Sequence, residues 1–333
     1  MAWLISSDLH LSDRPRDSYR FGLFKWLAQQ QVKHNVDATF LLGDLTDRKD
    51  IYPSFLVNKA IDELLNLKPP IFILKGNHDF LADPDSPYFR FLSNIDGIEF
   101  VSEPTFLREF GVAMLPHQPG QASFDRACAV IPRKAAGVML HVTLQGAIAE
   151  TGARLSGLSA APVGLLQPQG VWAGDIHRPQ TVNCGAMVTY VGAPYHVRFG
   201  DNFTPRVLLV KNGTEQNLYF PCLRKWVLRV RDADEILSND DLHKGDHVKV
   251  TVTLAREEAV EWVAHKQRVL DACKELGLDV FGVDLEISTS SKRERPRLGA
   301  PQAKTHVEVF DLFCQAEGMA SNIKQAGKDI LGV

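Results

Sequence analysis

The chain has 333 residues, 45% hydrophobic and 23% charged, which excludes a disordered, collagenous or disulfide-scaffold protein and allows about two domains. Lys and Arg total 37 against 40 Asp and Glu, and the formal charge of −3 excludes a blanket electrostatic grip on nucleic acid or an acidic membrane. Five widely spaced cysteines, Cys128, Cys184, Cys222, Cys273 and Cys314, form no C-x-x-C pair and read as reduced, buried thiols of a cytoplasmic protein.

The N-terminus, MAWLISSDLHLS, carries neither a basic segment nor a long apolar one, and no stretch approaches 18 uninterrupted apolar residues. The expectation is therefore neither export by a classical signal nor a membrane span. A first strand at Ala2–Ser6 runs into Asp8-Leu9-His10, where alternate residues send a carboxylate and an imidazole the same way. A helix follows over residues 20–31, with Phe21, Phe24, Leu27 and Ala28 on one face. The strand at 38–42 ends in Gly43-Asp44-x-x-Asp47, and a helix over 53–66 places Phe55, Leu56, Ala60, Leu64 and Leu65 on its apolar side.

The strand at Ile71–Leu74 ends in Gly76-Asn77-His78-Asp79, the most specific of these strand ends. After a strand at Val112–Leu115, the apolar run 138–141 closes on His141, and the run 171–173 leads to Gly174-Asp175-Ile176-His177. Strands at 187–191 and Val207–Lys211 complete an α/β layer domain assigned to residues 1–220. The segments 226–231, 247–254, 257–276 and 280–288 then read strand, strand, helix, strand, a small α+β unit assigned to 221–290. Residues 291–306 form a basic, Pro- and Gly-punctuated linker with Lys292, Arg293, Arg295 and Arg297, and 307–333 return to helical spacing.

A lone Asp or His at a strand end is more often a turn former than a ligand, and Asn77 alone is most often a turn residue. Five strand ends in order that carry Asp, His and Asn are a different matter. Mixed oxygen and nitrogen donors without thiolate suit manganese, iron or zinc better than calcium. A pair of such ions about 3.5–4 Å apart suits action on a phosphate ester.

These motifs resemble the calcineurin-like metallophosphoesterases, whose pattern is D-x-H, G-D-x-x-D, G-N-H-D/E, a solitary His and G-H-x-H. Within them the chain is similar to the SbcD-type nuclease subunit of DNA repair and recombination complexes, in bacterial or tailed-phage versions. That narrower likeness rests on Tyr190-Val-Gly-Ala-Pro194 and on the small unit beyond Tyr219. The resemblance implies a four-layer α-β-β-α sandwich followed by a small α+β capping domain. It implies two divalent metals, manganese first, with magnesium, iron or zinc as alternatives. Asp8, His10 and His177 would hold one ion, Asn77 and His141 the other, and Asp44 would bridge. His78 would act next to the scissile phosphate with Asp79 orienting its ring, and Asp47 would support. The departure is Asp175, where the family has His; an oxygen donor there shifts the preference toward manganese or magnesium.

The implied activity is manganese-dependent exo- and endonuclease cleavage of DNA ends or hairpins. The implied partners are a second copy of the chain and an SMC-like ABC ATPase of SbcC type, with the tail from Val307 either docking on that ATPase or packing on its own capping domain. Candidate phosphate contacts are Arg14, Arg16, Arg20, Arg178, His196, Arg198 and Arg206, each of which also reads as an ordinary surface charge. The competing expectations are a small-molecule phosphodiesterase or phosphatase acting on nucleotides, and a DNA-end-binding scaffold whose metal site is weakened at Asp175.

Overall fold

The computed structural model describes residues 1–49, 52–80 and 87–288, together with Cys314 and Gln325. The linker 291–306, its cluster Lys292, Arg293, Arg295 and Arg297, and the proposed docking tail 307–333 apart from those two residues lie outside the described residues.

Among the described residues the strands form three sheets. Sheet I runs in the order β12-β11-β1-β2-β3-β4, with β1 (Ala2–Ser6), β2 (Ala38–Leu41), β3 (Ile71–Leu74) and β4 (Ile98–Val101) parallel. An antiparallel hairpin of β11 (Val207–Lys211) and β12 (Thr214–Leu218) closes one edge. Sheet II repeats the plan in the order β5-β6-β7-β8-β10-β9. Here β6 (Val112–Leu115), β7 (Gly137–His141), β8 (Val171–Gly174) and β10 (Met187–Tyr190) are parallel, while β5 (Thr105–Leu107) and β9 (Gln180–Asn183) are antiparallel edges.

Alternation along the strands decides what each face buries. On β1, Trp3 and Ile5 join Phe40, Phe72, Val112, Met139 and Trp172 in the seam between the sheets. Leu4 faces the other way, among α1 (Gly22–His34) and α2 (Ser54–Leu64). Sheet II buries its outer face under α3 (Gln121–Ala129) and α4 (Ala161–Leu165). The result is the expected four-layer α-β-β-α sandwich. Strands buried on both faces read as unbroken apolar runs, which is why they were visible in the sequence. Trp3 of sheet I and Trp172 of sheet II meet edge to face across the seam, with ring centroids 6.0 Å apart.

The small unit holds β13 (Lys225–Val230), β14 (His247–Ala255) and β15 (Asp279–Ser288), all parallel, with α5 (Asp234–Leu237) and α6 (Trp262–Glu275) in the crossovers. It has its own apolar core, from Leu228, Val250 and Val252 to Val269 and Cys273. It packs as repeated β-α-β crossovers, a more regular arrangement than the α+β unit expected.

Two helical expectations need correction. Residues 15–21 form a 3-10 turn, so the helix expected over 20–31 begins at Gly22. On α2 the buried side is Leu56, Val57, Ala60 and Leu64, whereas Phe55 and Leu65 are 65% and 59% exposed. The apolar stripe of that helix is narrower than its composition, and the extra apolar residues stay at the surface.

Candidate metal centre

Because the central strands of both sheets are parallel, their C-terminal ends gather at one edge of the sandwich, where α/β sheets bind ligands. Asp8 and His10 follow β1, Asp44 follows β2, Asn77 and His78 follow β3, His141 ends β7, and Asp175 and His177 follow β8. Asp8, His10, Asp44 and Asp175 have left-handed backbones, with φ of 54°, 42°, 53° and 88°. That conformation costs a non-glycine residue about 1–2 kcal/mol, so it persists only where surrounding contacts fix it.

Those contacts are present. Asp8 N–H donates to Gly43 O at 3.2 Å, and His10 N–H donates to Asp44 O at 2.9 Å, zipping the first two turns together. The fully buried Asp79 carboxylate accepts from the backbone N–H groups of Gly76, Asp44 and Leu45 at 2.7, 2.9 and 3.0 Å, fastening the third turn to the second. Gly43 and Gly76 permit the closeness: a Cβ on the first would lie 2.3 Å from His141 Nδ1, and one on the second 2.2 Å from Asp44 Oδ1.

Three overlapping groups bring ligand atoms within 4.8 Å of one another: Asp8, His10 and His177; Asp8, Asp44 and His141; and His10, Asp44 and His78. Asp44 stands at the centre. Its Oδ2 lies 3.6 Å from His10 Nε2, and its Oδ1 lies 3.4 Å from His141 Nε2. His10 and His177 bring their Nε2 atoms to 3.0 Å of each other. Asp175 joins the second side, with Oδ1 3.7 Å from His141 Nε2 and 3.2 Å from Asn77 Nδ2, which donates to it. Its other oxygen accepts from Thr143 Oγ1.

The donor set fits divalent cations. His141 donates from Nδ1 to Leu42 O at 2.7 Å, which fixes the tautomer and leaves Nε2 with a free lone pair. That Nε2 and Asn77 Oδ1 are buried with no hydrogen-bond partner among the described residues, a costly state unless a cation satisfies them. Electrostatics agree. Burial pushes Asp8 up to about 8, helped by Asp44 and opposed by His141, and raises Asp44 well above the carboxylate range. Burial lowers His10 well below its ordinary value and His78 to about 4, so both imidazoles are neutral. Cations at this position would reverse the first effect and use the second.

One expected role changes. Asp79 does not orient His78; its oxygens are committed to three backbone amides, and His78 Nδ1 lies 2.9 Å from Asp47 O instead. Asp47 thus supports His78 through its carbonyl, while its carboxylate lies 3.8 Å from His10 Nδ1 and 3.5 Å from Arg14. Among the phosphate candidates, His196 is buried, accepting from Lys225 N–H at 3.2 Å with Nε2 3.0 Å from Phe203 O. Arg20 is 1% exposed, and Arg206 donates to the carbonyls of Val191 and Tyr190, so neither is free for a phosphate. Arg14 and Arg198 are exposed and Arg178 is half-buried, while Arg16 stacks over Phe281 at 4.2 Å.

Sequence reasoning missed Thr143, Glu150 and His117. Thr143 was legible as the alternate residue after His141. Glu150 accepts the His177 N–H at 3.0 Å from an irregular loop that carries no signal. His117 follows β6, its ring 6.3 Å from that of His141, and burial lowers it to about 4.

Residues 1–114 match the calcineurin-like phosphoesterase family. No curated protein matches the chain. Among solved structures, TT1561 of Thermus thermophilus is 13% identical, with 66% of this chain and 98% of that one covered and a TM-score of 0.43. The nuclease MPE of Pseudomonas putida is 17% identical over 65% and 87%, with a TM-score of 0.32. The purple acid phosphatase PPD1 from yellow lupin (Lupinus luteus) seeds is 12% identical over 67% and 46%, with a TM-score of 0.34. Among the described residues no helix is long and apolar enough to cross a membrane.

Proposed function

We propose that this chain is a metal-dependent phosphodiesterase that cleaves DNA with two divalent cations, manganese first. The observation that carries the reading is the Asp44 carboxylate, shared between a group containing His10 and a group containing His141, as a bridging ligand must be. Asp8, His10 and His177 would hold one ion; Asn77, His141 and Asp175 would hold the other. The bound ions would neutralise charge on the phosphate and acidify a water for in-line attack.

The chain's own residues account for the rest. His78 presents Nε2 to the same cavity, 3.9 Å from Asp44 Oδ2, and Asp47 O pins the opposite side of its ring. With Nδ1–H given to Asp47 O, Nε2 of the neutral ring carries the lone pair, so it would serve the departing oxygen as an acid only once the charge of a bound phosphate has drawn a proton onto it. Thr143 and Asn77 hold Asp175 in line, so the carboxylate that replaces the family's histidine stays within the cluster. DNA is favoured over a small phosphoester by a groove of about 580 Å³ lined by Arg14, Arg16, Arg198, Lys249, Phe199 and Phe281. A row of cations able to meet successive phosphates suits a strand better than a single nucleotide.

The test is strand-resolved digestion of linear and hairpin duplexes with manganese, set against hydrolysis of a cyclic nucleotide and an aryl phosphate. Chelator-sensitive cleavage of DNA is the expected result; turnover of the small esters alone would reject the substrate assignment, and end binding without cleavage under saturating manganese would favour a scaffold. The proposed homodimer and SMC-like ATPase partner are checked by co-purification with and without residues 300–333.

A further inference from the structure

The Leu9–His10 turn is held from beneath by side chains outside the ligand set. Tyr195 Oη donates to Leu9 O, and Arg20 Nη1 donates to His10 O. His10 is one of the left-handed residues, so these bonds restrain a backbone that would otherwise relax. Arg20 is 1% exposed and belongs to the 3-10 turn Pro15–Phe21. Its second nitrogen lies 3.2 Å from Asp17 Oδ1 and donates to Val197 O at 3.0 Å.

Both of those acceptors are shared with the small domain. Lys225, the first residue of β13, is 7% exposed and sends Nζ to Asp17 Oδ1 at 2.9 Å and to Val197 O at 3.1 Å. Asp17, Arg20, Val197 O and Lys225 therefore close a buried ring with two cations, one carboxylate and one carbonyl. Removing any charge from such a ring leaves the others without compensation. Further contacts of the small domain fall on the same segments: Arg16 over Phe281, Tyr19 against His247 at 5.9 Å, and Phe199 against Phe281 at 4.9 Å.

We propose that Arg20 is a positioning residue for the metal ligand His10, and that the small domain sets its position through Lys225 and Asp17. Docking of that domain and occupation of the metal centre are then linked, each favouring the other. The inference rests on the metal-centre reading above and adds a regulator to it: a partner or nucleic acid that shifts the small domain changes metal affinity without touching a ligand.

The experiment measures manganese affinity by calorimetry on the full chain. Loss of a residue that orients a ligand typically costs about 10–100-fold in metal affinity. We expect Arg20→Met to fall in that range and Lys225→Met to lose about tenfold. Asp17→Asn, which keeps volume, is the second variant should Lys225→Met not fold. Unchanged affinity in folded Lys225→Met or Asp17→Asn overturns the inference. Hydrogen exchange on the wild type decides independently of any variant: manganese should slow exchange in residues 225–230 as well as 8–11, and protection confined to the metal turns would refute linkage. If the wild type binds no divalent ion at all, the functional reading itself fails.

Discussion

Asp79 offers the sharpest quantitative test, because two roles for it predict opposite outcomes. Its carboxylate accepts three backbone N–H bonds at full burial, two on Oδ2 and one on Oδ1. Burial raises the group above its ordinary value, and the three donors work against that shift by favouring the carboxylate. In Asp79→Asn the single carbonyl can keep the pair from Asp44 and Gly76, and the new amide then faces the Leu45 N–H. One charge-assisted bond is lost, about 1.5–3 kcal/mol, and a buried donor is left unsatisfied at about 1–3 kcal/mol more. The sum, about 2.5–6 kcal/mol, is a large share of a typical stability of about 5–15 kcal/mol. Urea unfolding in chelator at pH 8 measures it from the midpoint at constant slope. Manganese affinity should fall with it, because the Asp44 turn loses its tether. A loss below about 1 kcal/mol together with collapsed turnover would refute this account and return Asp79 to the service of His78.

Three further outcomes follow from the geometry. Asp175→Ala removes the carboxylate beside His141 and should drop the metal content from two ions toward one, whereas Asp175→His should retain two with a shifted metal preference; elemental analysis and activity on each metal decide, and full metal with full rate in the alanine variant sinks the ligand assignment. Gly43→Ala places a methyl on the His141 ring at a position with φ of 87°, so both strain and collision act. We expect a loss of more than about 2 kcal/mol and severe loss of metal binding, read by thermal unfolding and calorimetry. Burial raises Asp8 from 3.8 to about 8, so the folded metal-free protein holds a proton that the unfolded chain has released. That contribution is present at low pH and is lost as pH rises through about 8. Metal-free protein should therefore be less stable at pH 8.5 than at pH 6.5, a window above the ordinary histidine range, and manganese should remove the slope; a flat metal-free profile contradicts it.

The strand ends were legible because ligand types stood directly after apolar runs, and parallel strands carry such residues to one edge. The pairing of His78 with Asp79 was misread for an equally physical reason. Both residues lie in the turn after β3, where the Asp79 carboxylate folds back onto the amides of Gly76, Asp44 and Leu45 while the His78 ring faces Asp47 O, a divergence that sequence adjacency does not reveal. The edge strands β9 and β12 escaped notice because Gln180–Asn183 and Thr214–Leu218 are mostly polar and exposed, with no apolar alternation to find. Arg20 and His196 read as surface charges because sequence does not reveal that an ion ring or an interdomain bond has buried them.

The proposed ligands also divide between the layers: Asp8, His10, Asp44 and Asn77 come from sheet I, and His141, Asp175 and His177 from sheet II. A bound cation would thus be a staple across two sheets that otherwise adhere mainly through apolar surface. At a free metal concentration of about 100 times Kd the staple contributes about 2.7 kcal/mol against separation. A chelator then acts as a mild denaturant of one particular seam. Trp3 and Trp172 straddle that seam from opposite layers, edge to face, so their intrinsic fluorescence reports whether it is shut.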